Sequence, residues 1–158
     1  MKLKIKYIVT NPLCVPVQME QGDLVDLVLA EDIKDMKKFE LKVFSLGVAV
    51  ELPKGFIAKI YSRSSTPVKH GIIVPNSVGI IDNSYHGDDD VWKLPVMVIK
   101  TGVNIPAGTR VCQCHIMLSP KAGIITKLKW LFSSGFRWEE VKTLQHPSRG
   151  GFGSTDES

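Results

Sequence analysis

Apolar and polar residues alternate with a period of two through most of this chain, and that pattern restricts the fold more than any other feature. The stretches KLKIKYIV, VFSLGVAVEL, GFIAKIYSRSS, KHGIIVPNSVGIID, VWKLPVMVIK and TRVCQCHIML all read as strands rich in Val and Ile. Turn signals separate them, among them LPKG (Leu52 to Gly55) and IPAG (Ile105 to Gly108). Each places a proline two residues before a glycine and introduces a strand. Short strands spaced by turns predict an all-β sandwich or barrel of antiparallel sheet. One segment departs from the pattern: AGIITKLKWLFSS sets Ile124, Ile125, Leu128, Leu131 and Phe132 at helical spacing, with Gly135 available as a stop. A single short amphipathic helix is expected there.

At 158 residues the chain is long enough for one domain with a real core and no covalent staples. That domain is expected over residues 1–147, with 148–158 a flexible Gly-rich arm. No apolar run approaches the roughly 18 residues of a membrane span. The opening MKLKIKYIVT lacks the apolar block of a signal peptide, so a cytoplasmic protein is expected. Cys14, Cys112 and Cys114 have spacings that suit neither a disulfide framework nor a zinc ribbon. Cys112 and Cys114 share one strand face and read as small buried residues, with Gln113 and His115 on the other face. The net charge of +4 favours anionic partners. The basic residues are scattered, without a nucleic-acid stripe, and a nucleotide fits as well.

Three segments could carry chemistry. In NSVGIIDNSYHGDDD, Asp82 follows the apolar pair Ile80-Ile81 where the strand turns. By itself it reads as a turn residue bonding its own backbone; at the mouth of a pocket it could take a proton from water. Asp88, Asp89 and Asp90 read as a solvated loop that would attract a cation only weakly. In YSRSSTPVKHG, an Arg and two Ser at a strand end offer a guanidinium fork, hydroxyls and amides to phosphate oxygens. As a bare segment it is equally a polar turn closed by Thr66-Pro67. The tail SRGGFGSTDES carries Arg149 and Phe152, which a frayed terminus does not need. No nucleophilic triad or Walker motif is present.

The order of the segments is more specific than any one of them. VDLVLAED, SRSS, NSVGIIDNSY, TRVCQC and RGGFGST resemble the five successive motifs of the trimeric dUTPase family over Val25 to Thr155, and most resemble its Gram-positive bacterial and phage members. The resemblance implies a homotrimer of distorted jelly-roll (β-clip) subunits with active sites between chains, each closed by the C-terminal arm of a third subunit. It implies hydrolysis of dUTP to dUMP and pyrophosphate, with Asp82 as the base activating water for attack at the α-phosphate. Arg63, Ser64, Ser65 and Gln113 are implied as phosphate contacts, and Asn76, Gly79, Ile80 and Ile81 as readers of the uracil edge. Tyr85 is implied to pack under the deoxyribose. In the arm, Phe152 is implied to stack on uracil, Arg149 to meet the terminal phosphates, and Gly153, Ser154 and Thr155 to wrap the triphosphate. Mg2+ is implied as a cofactor held chiefly by the phosphates, with Asp26 orienting its water shell.

The sequence departs from the family pattern in places. Its first motif lacks the usual Ala-Gly before Asp-Leu, Thr109 replaces an acidic residue, and Asp156 replaces a glycine. The stretch from Ser119 to His146 is longer than in compact relatives, and its helix reads as an added surface feature. Two rival readings stand beside hydrolysis. A dCTP deaminase shares the fold, but its chemistry needs a glutamate soon after the third motif, and Asn83 to Lys100 contains none. A phage-type regulatory protein would act through a protein partner, with Trp130, Phe132, Phe136 and Trp138 as a docking surface. The other reading of those aromatics is packing of the extra helix against the barrel.

Overall fold

The computed structural model describes residues 1–19 and 22–151. Ten strands build two five-stranded sheets. They run in chain order as β1 (Leu3–Val9), β2 (Val17–Gln18), β3 (Val25–Val28), β4 (Leu41–Glu51), β5 (Phe56–Ser62), β6 (Ile72–Ile73), β7 (Val78–Ile81), β8 (Val91–Val98), β9 (Arg110–Leu118) and β10 (Phe136–Glu140). Helix α1 (Thr66–His70) lies between β5 and β6, and α2 (Ile124–Leu131) between β9 and β10. One sheet has the order β10-β1-β4-β8-β6 and the other β2-β3-β9-β5-β7. The all-β jelly-roll expectation is met.

The alternation seen in the sequence is what fills the core. Along β8, Trp92, Leu94, Val96 and Val98 are buried, while the intervening residues face outward. Ile5, Leu27, Leu46, Val48, Phe56 and Ile60 join them. The ladder between β4 and β8 shifts register between Ser45 and Ala49. Gly47 occupies that bulge at φ +63°, pressed onto Cys14 where a Cβ has no room. The three cysteines are free and buried, as expected for Cys112 and Cys114 from their shared strand face.

Four local expectations change. The run KHGIIVPNSVGIID is not one strand: it breaks into β6 and β7, because Pro75 has no N–H for a ladder and Ser77 turns at φ +61°. The polar turn at Thr66-Pro67 is the start of α1. Pro67 opens this helix, and Gly71, in the left-handed region at φ +66°, closes it. A tenth strand, β10, pairs in parallel with β1, Leu3 opposite Phe136 and Tyr7 opposite Glu140. Its alternation of Phe136 and Trp138 with Arg137 and Glu139 was there to be read. Finally, α2 is seated on its other side. Ile124, Ile125, Leu128, Leu131 and Phe132 are all exposed, whereas Trp130 points inward, stacking on Phe136 at 4.8 Å and meeting Phe56 edge-on at 5.5 Å.

Candidate active site

Strand β7 is an edge strand, paired with β5 through Ala58 opposite Ile81 and Tyr61 opposite Val78. Asp82 follows directly, and its carbonyl accepts the N–H of Tyr85 at 3.0 Å, so the chain turns sharply there. The Asn83 side chain fixes that turn by donating to the carbonyls of Leu52 and Pro53 at 3.1 and 3.0 Å. Tyr85 donates its hydroxyl to the carbonyl of Val91 at 3.1 Å. Burial, and then the nearby Asp90 carboxylate, push the Tyr85 phenol above its ordinary value, so it stays neutral.

A cavity of about 290 Å³ opens beside this turn. Asn76, Gly79, Ile80, Ile81, Asp82 and Tyr85 line one side, and Lys93 and Pro95 of β8 the other. Gly79 lies over Ile60, the residue opposite it on β5. The Arg149 guanidinium reaches over the rim, donating to the Ser84 hydroxyl at 2.7 Å and standing 3.5 Å from the Asp82 carboxylate. Gly151 closes on the Tyr85 ring. Seven of the expected residues, Asn76 to Tyr85 and Arg149, therefore share one cavity in one chain.

The other expected residues form a second group. Arg63 follows β5, and its Nε lies 3.3 Å from one oxygen of Asp26. Arg110 holds the other oxygen at 3.2 Å. Gln113 sits between these elements, opposite Asp26 on β3 and opposite Tyr61 on β5. Ser65 immediately precedes α1 without a side-chain capping bond, and Ser64 beside it is exposed. Asp26 is 5% exposed, with both oxygens committed to guanidinium groups. A metal bound directly by Asp26 would compete with both guanidinium groups. Among the described residues no cluster of three His, Cys, Asp or Glu side chains could hold a metal ion. Nor is any helix in them long and apolar enough to cross a membrane.

Phe152, Gly153, Ser154 and Thr155 lie outside the described residues. The start of the arm, 148–151, lies on the Asp82 loop of its own chain, whereas the resemblance implies a third subunit's arm at each site. Asp88, Asp89 and Asp90, read from the sequence as a solvated loop, all engage the C-terminal segment. Asp90, 1% exposed, accepts backbone N–H groups from Gly87, Arg149 and Gly150. Three adjacent carboxylates gave no sequence signal for this, because their partners lie some sixty residues away.

Comparison with known proteins gives the family. A family model described as dUTPase matches residues 5–127. The chain is 41% identical over 156 residues to the SPbeta prophage-derived deoxyuridine 5'-triphosphate nucleotidohydrolase of Bacillus subtilis (strain 168), covering 98% of both chains. It is 33% identical to the deoxyuridine 5'-triphosphate nucleotidohydrolase of Hydrogenobaculum sp. (strain Y04AAS1), covering 83% of this chain and 81% of that protein. Among solved structures, the dUTPase from Streptococcus mutans superposes with a TM-score of 0.66 at 24% identity, over 72% of this chain and 95% of that one. The dUTPase of Staphylococcus bacteriophage 80alpha superposes with a TM-score of 0.63 at 19% identity, over 76% and 93%.

Proposed function

The chain belongs to the dUTPase family, and from that premise we propose that it hydrolyses dUTP to dUMP and pyrophosphate in the cytoplasm. The observation that carries the reading is the cavity beside Asp82. A carboxylate at its rim faces a guanidinium, with a glycine-containing edge strand and an aromatic ring as its walls. In this reading Asp82 takes a proton from water, and the oxygen forms a bond to the α-phosphorus. The bond from that phosphorus to the bridging oxygen breaks, and pyrophosphate leaves. The work of the protein is positioning and charge neutralisation. Asn76 and the backbone of Gly79 to Ile81 read the uracil edge, where a pocket made for uracil leaves polar groups unpaired with cytosine. Tyr85, neutral and rigid, packs under the sugar. Arg149 and the residues following it, Phe152 to Thr155, cover the nucleotide as an arm.

Mg2+ would supply neutralisation of the phosphate charge, held by the triphosphate, the usual way this small, strongly hydrated ion is bound. Asp26 serves as the anchor of Arg63 and Arg110. A Staphylococcus aureus phage phi11 dUTPase is described with a structural Mg(II) ion.

The separation of the two groups supports a site shared between chains, as in a homotrimer. Asp82 lies across from Ile57, and Arg63 is six residues further along β5, roughly 20 Å at ~3.3 Å per residue. Both must reach one triphosphate, so Arg63, Ser64, Ser65 and Gln113 serve the Asp82 of a neighbouring chain. An apolar stripe supports self-association: Leu41 and Val43 on β4 are exposed beside Pro95 and Met97 on β8. A second reading is regulatory, since the 80alpha dUTPase is described as controlling transfer of virulence genes. The exposed apolar side of α2 would be the partner surface, and deleting it would abolish partner binding with hydrolysis intact.

The deciding experiment measures pyrophosphate release from dUTP, dCTP, dTTP and UTP with Mg2+, for the native chain, Asp82→Asn and a chain truncated after Pro147. Turnover of dUTP alone is expected, lost in Asp82→Asn and strongly reduced without the arm. A folded trimer that binds dUTP without turning it over makes the regulatory reading primary, and deamination of dCTP overturns both.

A further inference from the structure

The exposed residues of helix α2 and its C-cap are of two kinds, large apolar side chains and lysines. At about 100° per residue, Ile124, Ile125, Leu128, Leu131 and the following Phe132 cover roughly 130° of arc. Lys127 bounds that arc on one side and Lys129 on the other. The five apolar side chains are exposed from 47% at Leu128 to 79% at Phe132. The opposite side of the helix meets the barrel. Trp130 stacks on Phe136 there, and Thr126 packs on Gly55, where an added Cβ would meet its methyl at 2.9 Å. Residues 119–138 hold Lys121, Lys127, Lys129 and Arg137 and no Asp or Glu. Among the described residues none of the three lysines makes an ion pair.

A stripe of exposed apolar side chains marks a surface that meets something other than water. A second copy of α2 would set lysines against lysines, like charge on like. A protein groove is the poorer fit, because lysine is depleted at protein interfaces and geometrically defined hydrogen bonds fix their register. The exposed part of α2 offers no amide, hydroxyl or carboxylate side chain for that purpose. Anionic headgroups above acyl chains match both parts of the pattern. Apolar side chains enter the acyl boundary, while marginal lysines lay their stems along the stripe and reach the phosphates. Eight residues span about 12 Å, too short to cross a bilayer, so such a helix lies in the interface.

We propose that the outward face of α2 binds peripherally to anionic phospholipid bilayers. Leu128, Leu131 and Phe132 meet the acyl boundary, and Lys127 and Lys129 hold headgroup phosphates. This surface lies outside the Asp82 cavity and goes beyond the hydrolysis of dUTP.

Co-sedimentation of the full chain with vesicles tests the assignment, comparing phosphatidylcholine alone with an equal mixture of phosphatidylcholine and phosphatidylglycerol. Binding at least about tenfold tighter to the mixed vesicles is expected, falling as salt rises. Lys127→Glu with Lys129→Glu should remove that preference. Leu128→Ser with Leu131→Ser should weaken binding by about tenfold or more. In Phe132→Trp, brominated acyl chains should quench the added indole, which adsorption by charge alone would not produce. All these positions are exposed, so each variant is expected to melt with the native chain. No binding of the folded chain to the mixed vesicles would overturn the proposal and leave the face to a protein partner. Binding unchanged in both double variants would overturn it too, since the contact would then lie elsewhere. A smaller oligomer on gel filtration of Leu128→Ser with Leu131→Ser would also overturn it, because another copy would then cover α2. The readout is lipid binding, so its result is separate from whether the chain hydrolyses dUTP.

Discussion

The Nε of Arg63 lies 3.3 Å from the Asp26 carboxylate, whose second oxygen is held by Arg110. Two cations converge on one buried anion, so the Arg63 guanidinium is aimed by a residue two strands away in its sheet. Asp26→Asn removes the charge and keeps the shape. We expect kcat/KM for dUTP to fall about 10- to 100-fold and stability to fall by about 1–3 kcal/mol, between the values for exposed and buried pairs. Adding Arg63→Ala to that variant should cost little more, as kinetics and thermal melting of the double-mutant cycle would show. A full additional loss would mean that the two residues act separately.

Two aromatic residues of the α2 region should behave in opposite ways. Trp130 stacks on Phe136 and meets Phe56, whereas Phe132 is 79% exposed. Trp130→Ala is expected to cost about 2–4 kcal/mol in denaturant unfolding, and Phe132→Ala within about 0.5 kcal/mol of nothing. Equal effects would show that α2 is seated differently.

Docking of the C-terminal segment should be insensitive to pH near neutrality. Burial pushes the Asp90 carboxyl up, but the N–H groups of Arg149, Gly87 and Gly150 outweigh it and hold it below its ordinary 3.8. The Thr143 hydroxyl and the Leu144 N–H do the same for Asp88. A depressed carboxyl stabilises the folded form fully above its unfolded value, and the contribution is lost as pH falls through the lower folded value. Amide protection of 144 and 148–150 is therefore expected to be flat from about pH 5 to 8 and to fall only below the ordinary carboxylate range. Loss of protection between pH 5 and 7 would contradict this.

The thiols should be inert in the folded protein. Burial raises Cys112 and pushes Cys114 up to about 12, so neither forms thiolate at pH 8. Iodoacetamide should leave both unmodified until denaturant is added, and rapid labelling of the native protein would show that β9 opens.

Much of the barrel could be read from the chain, because alternation with period two depends only on which face of a strand a side chain takes. Trp92, Leu94, Val96 and Val98 went inward for that reason, as did Cys112 and Cys114. The turn at Asp82 was legible too, since an apolar pair running into Asp-Asn-Ser has few other uses. The order of the five motifs carried the family. What failed were features with distant partners. The five apolar residues from Ile124 to Phe132 had the right spacing for a buried face, yet the contact that seats the helix is Trp130 on Phe56 and Phe136. Spacing gives a face but not the surface it meets.

The sequence by itself determined most of the strands and the turn after Ile81, because these depend on neighbours within a few positions. Only the tertiary structure decided that Asp26 is the anchor of two arginines and that Asp90 holds Arg149 and Gly150. It also decided that Arg63 and Asp82 lie at opposite ends of β5. Those relationships depend on strand register and on contacts across some thirty to ninety residues, and a carboxylate in a sequence looks the same whether water or a distant backbone will satisfy it.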